Sequence, residues 1–307
     1  MSGPGAAAPT RHLGIDLGGT NCKWVVLEHA GDDWEVLDRG QVATVASDGP
    51  DAVVGRFIEI GRAALQHWPD LCTIGIGVPG LYDPATGDAR FLVNFPGGWR
   101  GVPIGPPVRE ALGLSTALIN DARAFGLAEL RLGAGRGASS LVGMVLGTGV
   151  GGVIAIDGKV HLGHDGTAGE IGHQTIDPDG PSCNCGNQGC LEAFARADRI
   201  AEACGTTTVE AAVQAAHAGD ERALAGLTRV GTYLGVGIAN LIAIISPDRV
   251  VIGGGVAAAD ALLLDPMRAE IARRVTTTEL GVVDIVPAAL GTWAGAIGAG
   301  IHGAEAA

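Results

Sequence analysis

The chain has 307 residues, 47% of them hydrophobic, so it can bury a large core and is long enough for one large domain or two lobes. A formal net charge of −13 and only two lysines leave no basic surface for a phosphate backbone, so we expect no nucleic-acid partner. Met1–Pro9 lacks the charged and apolar regions of a signal peptide and is expected to be a disordered tail.

The first part of the chain alternates apolar runs with helical patterns. An apolar run, a glycine turn and a second run rich in β-branched residues predict a β-hairpin over 12–28. The elements predicted next are a helix over 52–67, a strand over 73–78, a loop over 82–107, a helix over 108–112, a strand over 116–119 and a helix over 122–132.

A second strand, glycine turn and strand are predicted over 140–156, and their likeness to the first hairpin is the nearest feature to an internal repeat. Segment 137–156 is uncharged, but its serines and six glycines suit two buried strands better than a membrane helix, so no membrane span is expected. The remaining predictions are helices over 192–204, 208–218 and 221–245, a strand over 249–252, a helix over 261–274, a strand over 282–287 and a helix over 291–302.

Four potential metal ligands lie close together in the sequence. His173, Cys183, Cys185 and Cys190 fall within eighteen positions of a chain with six cysteines. Four nitrogen and sulfur ligands suit a structural zinc, because a catalytic zinc keeps one position open. The main alternative is a disulfide, but Cys183 and Cys185 are too close in sequence to bridge comfortably. Clustered thiols without a secretory signal indicate a reducing cytoplasm.

Three glycine-rich turns are candidates for phosphate binding: Gly18-Gly19-Thr20, the run 147–152 and Gly253-Gly254-Gly255. Glycine allows backbone amides to approach a polyphosphate closely. Each turn alone is weak evidence, since most glycine-rich hairpins are only tight turns, but three together could surround a nucleotide's phosphates. Asp16, just before the first turn, could hold Mg²⁺ directly or through water, or could simply cap the turn.

The segments 16–20, 146–149 and 251–255, together with the zinc segment, resemble the ROK family of sugar kinases and repressors in the actin-like, hexokinase-like superfamily. The resemblance extends from Leu13 to Gly303. It implies an α/β, two-lobed, ribonuclease H-like fold with an interlobe cleft and a structural zinc knuckle. The implied lobes are residues 1–120 with 292–307, and residues 121–291, which carry the zinc segment and the oligomerisation helices. Val153 is a departure, because related kinases often carry a third glycine there.

The resemblance also implies roles for individual residues. Asp121, between a strand and a helix, would be the general base, although the sequence alone suits an N-cap aspartate about equally well. His173 would bind zinc through one ring nitrogen and face a sugar hydroxyl with the other. Lys23 could reach a phosphate or lie on an exposed strand face. The implied sugar contacts are Gly80, Asn94, Asn120, Asp121, Glu170, His173 and Glu192, and the implied ATP and Mg²⁺ contacts are Asp16, Gly18, Gly19, Thr20, Lys23, Thr148, Gly149, Gly254 and Gly255.

The implied activity is ATP-dependent phosphorylation of a hexose 6-hydroxyl, with glucose as the first choice. Kinases of N-acetylmannosamine, N-acetylglucosamine, fructose and allose share these motifs. ROK repressors carry the same zinc segment behind a DNA-binding module, and the dozen or so residues before the first strand are expected to be too few for one. A sugar-sensing pseudo-kinase is disfavoured by the intact Asp16, Asp121 and glycine turns. The expected partners are a sugar and ATP, in a homodimer or homotetramer.

Overall fold

The computed structural model describes residues 8–92, 95–256, 261–277 and 279–307. The chain forms two compact units, the first comprising residues 1–136 and 292–307 and the second residues 137–291. The helix that begins at Asp121 was assigned to the second lobe by the sequence analysis, whereas the structure includes it in the first unit.

The elements follow one another as a mixed α/β chain. Those before residue 137 are β1 (Thr10–Leu17), β2 (Asn21–Ala30), β3 (Asp33–Ala43), α1 (Pro50–His67), β4 (Leu71–Val78), β5 (Gly80–Tyr82), β6 (Asp88–Leu92), β7 (Val102–Pro103), α2 (Gly105–Leu112), β8 (Ser115–Asn120) and α3 (Asp121–Arg131). The second unit contains β9 (Leu141–Leu146), β10 (Val150–Ile156), β11 (Lys159–Val160), α4 (Glu192–Ala195), α5 (Ala197–Cys204), α6 (Val209–His217), α7 (Glu221–Ile245), β12 (Arg249–Gly253), α8 (Ala261–Arg274) and β13 (Asp284–Pro287). The C-terminal helix α9 (Ala294–Glu305) returns to the first unit.

Each unit is built on a five-stranded sheet with the same strand pattern. The orders are β3-β2-β1-β4-β8 in the first unit and β11-β10-β9-β12-β13 in the second. In both sheets an antiparallel hairpin is extended by two strands that run parallel to its first strand. The likeness that the sequence showed between two hairpins therefore extends to two whole sheets.

The two faces of the first sheet carry different residues because side chains alternate along a strand. Leu13 and Ile15 lie in the core with residues of α1, whereas Gly14, between them, faces α9. A Cβ on Gly14 would lie 2.0 Å from the backbone oxygen of Ala296, and one on Gly75 of β4 would lie 1.6 Å from that of Ala299. These strands thus require glycine for α9 to pack against the sheet.

The structure differs from the predicted elements in three places. β3 was not predicted, because its charged and largely exposed sequence lacks the apolar alternation of a half-buried strand. The predicted loop 82–107 contains part of a small sheet ordered β5-β6-β7. The predicted helix 192–204 is broken at Arg196, whose ψ of 155° is extended, so α4 and α5 are separate.

Helix α7 is the one helix among the described residues that is long and apolar enough to cross a membrane. Half of its most apolar window is buried inside the protein. Its buried side chains, including Leu227, Leu234 and Ile238, belong to the core of the second unit. A buried core helix of a globular protein can have this length and apolar composition without crossing a membrane.

Candidate active site

The first glycine turn is held in place by a residue that sequence reasoning missed. Thr44, fully buried just after β3, donates its hydroxyl to the backbone oxygen of Gly18 at 2.7 Å. Its own N–H donates to the backbone oxygen of Thr20 at 2.8 Å. Gly19 has open space where a Cβ would be, so its backbone is accessible to a ligand. Thr44 escaped prediction because it follows the strand that the sequence did not reveal.

Asp16, at the end of β1, is the most perturbed carboxyl group near this turn. Burial, together with the nearby charge of Asp121, raises its pKa to about 7, and Lys23 partly opposes both effects. Gly295 of α9 makes room for the side chain, because a Cβ there would lie 2.6 Å from Asp16 Oδ2. A buried carboxyl group that resists ionisation is stabilised in its charged form by a cation, so the donor chemistry of Asp16 fits Mg²⁺.

The junction of β8 and α3 carries Asn120 and Asp121, and the structure separates their roles. Asn120 is the N-cap, because its Oδ1 accepts the backbone N–H groups of Ala122 and Arg123 at 3.0 and 3.2 Å. Asp121 is the first residue of the helix, and its Oδ1 accepts the N–H of Ala122 at 2.8 Å. The cap function that could have explained an aspartate here therefore belongs to its neighbour.

The other predicted sugar and phosphate residues of this unit have specific contacts. Gly80 accepts a hydrogen bond from Asn120 Nδ2 at 3.2 Å, which joins two predicted sugar contacts. Lys23 Nζ donates to the backbone oxygen of Thr292 at 2.9 Å and lies 5.7 Å from the Trp293 ring centroid. The predicted contact at Asn94 lies outside the described residues.

Glu192 braces the second glycine turn. Its Oε2 accepts the backbone N–H of Val150 at 2.9 Å. A Cβ on Gly149 would lie 2.6 Å from the same oxygen, so glycine is needed for this contact. The other end of the turn is fixed by Ala197, whose N–H donates to the oxygen of Gly147 at 2.9 Å. Glu192 was predicted to be a sugar contact; what the structure shows is that it positions the turn.

The third glycine cluster lies against the strand that leads into the second turn. Gly254 has a φ of +92°, and a Cβ there would lie 2.1 Å from the backbone oxygen of Leu146. Thr148 and Gly255 are exposed, and a Cβ on Gly255 would meet nothing within 4 Å. The second unit thus presents exposed groups from two glycine clusters at the carboxyl ends of neighbouring strands.

The four predicted zinc ligands converge. One ligand atom from each of His173, Cys183, Cys185 and Cys190 lies within 4.8 Å of all the others. Cys183 Sγ lies 3.7 Å from His173 Nδ1, and Cys185 Sγ lies 3.7 Å from Cys190 Sγ. A tetrahedral ion with bonds of about 2.3 Å to sulfur has edges of about 3.8 Å, so these separations fit zinc. All six cysteines are free thiols, so the disulfide alternative is not what the structure shows.

The surroundings of the cluster connect it to the predicted sugar residues. His173 turns Nδ1 toward the thiols, while its Nε2 lies 3.9 Å from Glu170 Oε2. Cys183 Sγ lies 3.9 Å from Glu192 Oε1, whose partner oxygen holds the second turn. Burial and the hydrogen bonds from the other two thiols raise the pKa of Cys190 to about 12. Only a cation would make three ionised sulfurs stable at this spacing.

Comparison with known proteins places the chain in a family. The ROK family model matches residues 12–302. The chain is 35% identical to a glucokinase of Halalkalibacterium halodurans, over 94% of this chain and 93% of that protein. It is also 28% identical to a xylose repressor of Bacillus subtilis, over 93% of this chain and 75% of the repressor.

Solved structures give the same assignment. A ROK hexokinase from Thermus thermophilus matches with a TM-score of 0.84 and 31% identity, over 97% of this chain and 99% of that one. A ROK family glucokinase from Streptomyces griseus, in complex with glucose and AMPPNP, matches with a TM-score of 0.80 and 28% identity, over 96% and 99% of the two chains. The chain belongs to the ROK family, and its relatives include sugar kinases of the actin-like ATPase superfamily.

Proposed function

We propose that this protein transfers the γ-phosphoryl group of ATP to the 6-hydroxyl of a hexose, with glucose as the preferred acceptor. The observation that carries the proposal is the pair Asp16 and Asp121: Asp16 is buried, and the nearby charge of Asp121 adds to this burial in raising the pKa of Asp16. Glucokinase relatives and a structural relative that holds glucose and an ATP analogue support the same chemistry.

In the proposed reaction, Asp121 accepts the proton of the sugar hydroxyl as that oxygen attacks the phosphorus atom. Asn120 fixes the position of Asp121 by capping α3 and by bonding to Gly80. The amides of the glycine turns, held by Thr44 and Glu192, bind phosphate oxygens. Mg²⁺ beside Asp16 would offset the negative charge of the phosphates when it is bound.

The sugar contacts and the metal are part of the same proposal. The sugar hydroxyls would be held by Asn94, Glu170, His173 and Glu192. The role of Asn94 is taken from the sequence resemblance alone. A structural zinc on His173 and the three clustered cysteines would fix the ring of His173 and the loop that carries Glu170. We further propose a two-lobed actin-like fold, a homo-oligomer, and a reducing cytoplasm in which these thiols stay free.

The test is an ADP-release assay with ATP and Mg²⁺ against a panel of hexoses and N-acetylhexosamines. We expect glucose to give the highest kcat/KM and Asp121→Asn to lower kcat by a factor of about 10² to 10⁴. Asp32→Asn is the matched control, because it removes an exposed carboxylate from the first unit. Full turnover in the Asp121 variant would contradict the assignment of the base, and a faster reaction with another sugar would contradict the substrate.

The second candidate is a sugar-responsive regulator, which the similarity to a xylose repressor favours. Such a protein would bind sugar without releasing ADP. Calorimetric sugar binding in a preparation that shows no turnover on any member of the panel would support the regulator and exclude the kinase.

A further inference from the structure

A pocket of about 790 Å³ lies in the second unit between α4, α5 and α7. None of its lining residues is among those assigned above to the sugar, ATP or the metal. The charged and aromatic side chains that line it are Phe194, Arg199, Glu202, Arg222, Arg229 and Tyr233.

The shape of the pocket follows from the close packing of two helices. A Cβ on Gly226 of α7 would lie 2.7 Å from the sulfur of Cys204 on α5, so the helices touch at this point. Three long side chains lie on one face of α7, because their spacings of seven and four residues match the helical repeat: Arg222, Arg229 and Tyr233. A small-residue floor is thus surrounded by long side chains from both helices.

The charge in the pocket is positive although the whole chain is strongly acidic. Glu202 is the one acidic residue in the lining, and it forms an ion pair with Arg199 at 2.7 Å. Arg222 donates only to the backbone oxygen of Glu202 at 3.5 Å. Arg229 has no hydrogen bond or ion pair among the described residues. Two guanidinium groups therefore have no carboxylate partner within the pocket.

Further features point to a ligand with a ring. The rings of Phe194 and Tyr233 lie 4.2 Å apart with an interplanar angle of 33°, and both border the pocket. The Nε of Arg199 is buried and lacks a hydrogen-bond partner among the described groups. A buried donor without a partner lies here beside two aromatic rings and two guanidinium groups that have no carboxylate partner. These groups together offer contacts suited to one small molecule.

We propose that this pocket binds a small phosphate monoester that carries a ring. Arg222 and Arg229 would hold the phosphate dianion through charge-assisted hydrogen bonds, and the ring would pack against Phe194 and Tyr233. Sugar phosphates and nucleoside monophosphates share this chemistry, because aromatic side chains pack against both sugar rings and bases.

Ligand binding in this pocket would affect the second glycine turn, because helix α4 contacts both. Phe194 lies on the one-turn helix α4 with Glu192, whose carboxylate holds the N–H of Val150. A ligand that shifts α4 would move this hydrogen bond and change the affinity for substrates. This consequence rests on the proposed kinase function, whereas binding itself does not.

The binding test is isothermal titration calorimetry with inorganic phosphate, glucose 6-phosphate and AMP, each on wild type, Arg229→Gln and Arg62→Gln. Arg62 is the matched control, because it is an exposed helical arginine of the first unit. We expect at least one ring-bearing ester to bind about tenfold more tightly than phosphate. Arg229→Gln should raise its Kd about tenfold to a hundredfold, and Arg62→Gln should leave it unchanged.

The three probes also identify the ligand class. Loss of glucose 6-phosphate binding in Arg229→Gln assigns a sugar phosphate, and loss of AMP binding assigns a nucleotide. Equal Kd values in the two variants would overturn the proposal, since binding would then occur elsewhere, and equal affinity for all three probes would overturn the role of the ring. A protein without turnover that still shows the Arg229-dependent binding would reject the kinase proposal alone.

Discussion

Single residues of the first unit show how burial shapes the candidate site. Asp16 lies on the strand face that Gly14 leaves open to α9, and Gly295 of that helix leaves space for its carboxylate. The protein encloses a group whose charged form it does not stabilise by itself. A cation would reverse that balance, so the same burial that destabilises the free protein would strengthen binding of a metal–nucleotide complex.

Asp16→Asn is expected to stabilise the free protein while it abolishes phosphoryl transfer. The folded pKa of about 7 exceeds the unfolded value of 3.8, so the folded state binds more protons and stability falls as pH rises through that window. The ionised carboxylate costs up to about 4 kcal/mol at pH 8, and asparagine removes this cost.

Urea denaturation at pH 5 and pH 8 measures this effect. The stability gain of the variant should be largest at pH 8 and shrink toward pH 5. Asp32→Asn, which changes an exposed carboxylate, should show no such pH dependence. A gain that is the same at both pH values would mean that the charge of Asp16 is not its cause.

Sequence patterns identified chemical types at the site better than they identified contacts. The spacing of His173 and the three cysteines predicted a cluster that the structure brings together. The sequence suited Asp121 as the N-cap of α3 about as well as a general base, whereas the structure gives the cap position to Asn120; both residue types are good caps, and the choice depends on backbone direction. It also gave no sign that Glu192 bonds to Val150, a contact that joins residues 42 positions apart.

At the scale of secondary-structure elements, close packing of α9 on β1 and β4 organises the first unit. A Cβ on Gly298 of α9 would lie 1.7 Å from the backbone oxygen of Ala124, so α3 also packs closely on this helix. Because α3 begins at Asp121 and β1 ends beside Asp16, the same contacts set the separation of the two carboxylates. Glycine in this layer therefore affects the site as well as stability.

Gly75→Ala is expected to lower stability by about 1–3 kcal/mol or more, because the added Cβ meets the backbone of α9 at 1.6 Å and neither element can yield easily. Gly55→Ala is the matched control. It adds the same methyl group in the middle of α1 with nothing within 4 Å, so it should raise stability by up to about 1 kcal/mol. Thermal and urea unfolding measure both changes, and equal effects in the two variants would refute the packing argument.

Elements were predictable where their pattern was strong and local. The hairpins β1–β2 and β9–β10 and the long helix α7 have clear apolar patterns and were predicted close to their observed bounds. β3 and the small sheet β5-β6-β7 were missed because their strands are short or polar, and partner strands rather than their own sequences hold them extended. The break at Arg196 was missed because it coincides with a hydrogen bond from Ala197 to Gly147, a partner in another segment that a local pattern does not reveal.

At the scale of the whole molecule, the two units have the same sheet order but separate hydrophobic cores. Buried residues of β1, β4 and α1 form one core, and those of β9, β12, α7 and α8 form the other. The cluster of His173 and three cysteines, which could hold a metal ion, lies in the second unit, and the described residues contain no other such cluster. Because metal binding at such a cluster is coupled to folding, a bound metal should stabilise the local structure of the second unit most.

Removal of the metal is therefore expected to loosen the two units unequally. Metal analysis should find about one zinc per chain. After chelation, hydrogen exchange should become faster in peptides from 141–156 and 192–204, because Glu192 and Cys183 connect the cluster to the second turn. Peptides from β1, β4 and α9 should exchange at their former rates.

Point variants separate this effect from non-specific damage by the chelator. Cys185→Ser removes one ligand and should reproduce the faster exchange without chelation, whereas Cys72→Ser changes an exposed thiol outside the cluster and should not. Turnover should fall in step with exchange in 192–204, because Glu192 then no longer holds the second glycine turn, which we propose binds phosphate. Equal acceleration in both units would show that the cluster supports the whole chain, and a metal-free protein with unchanged exchange and activity would exclude a structural zinc.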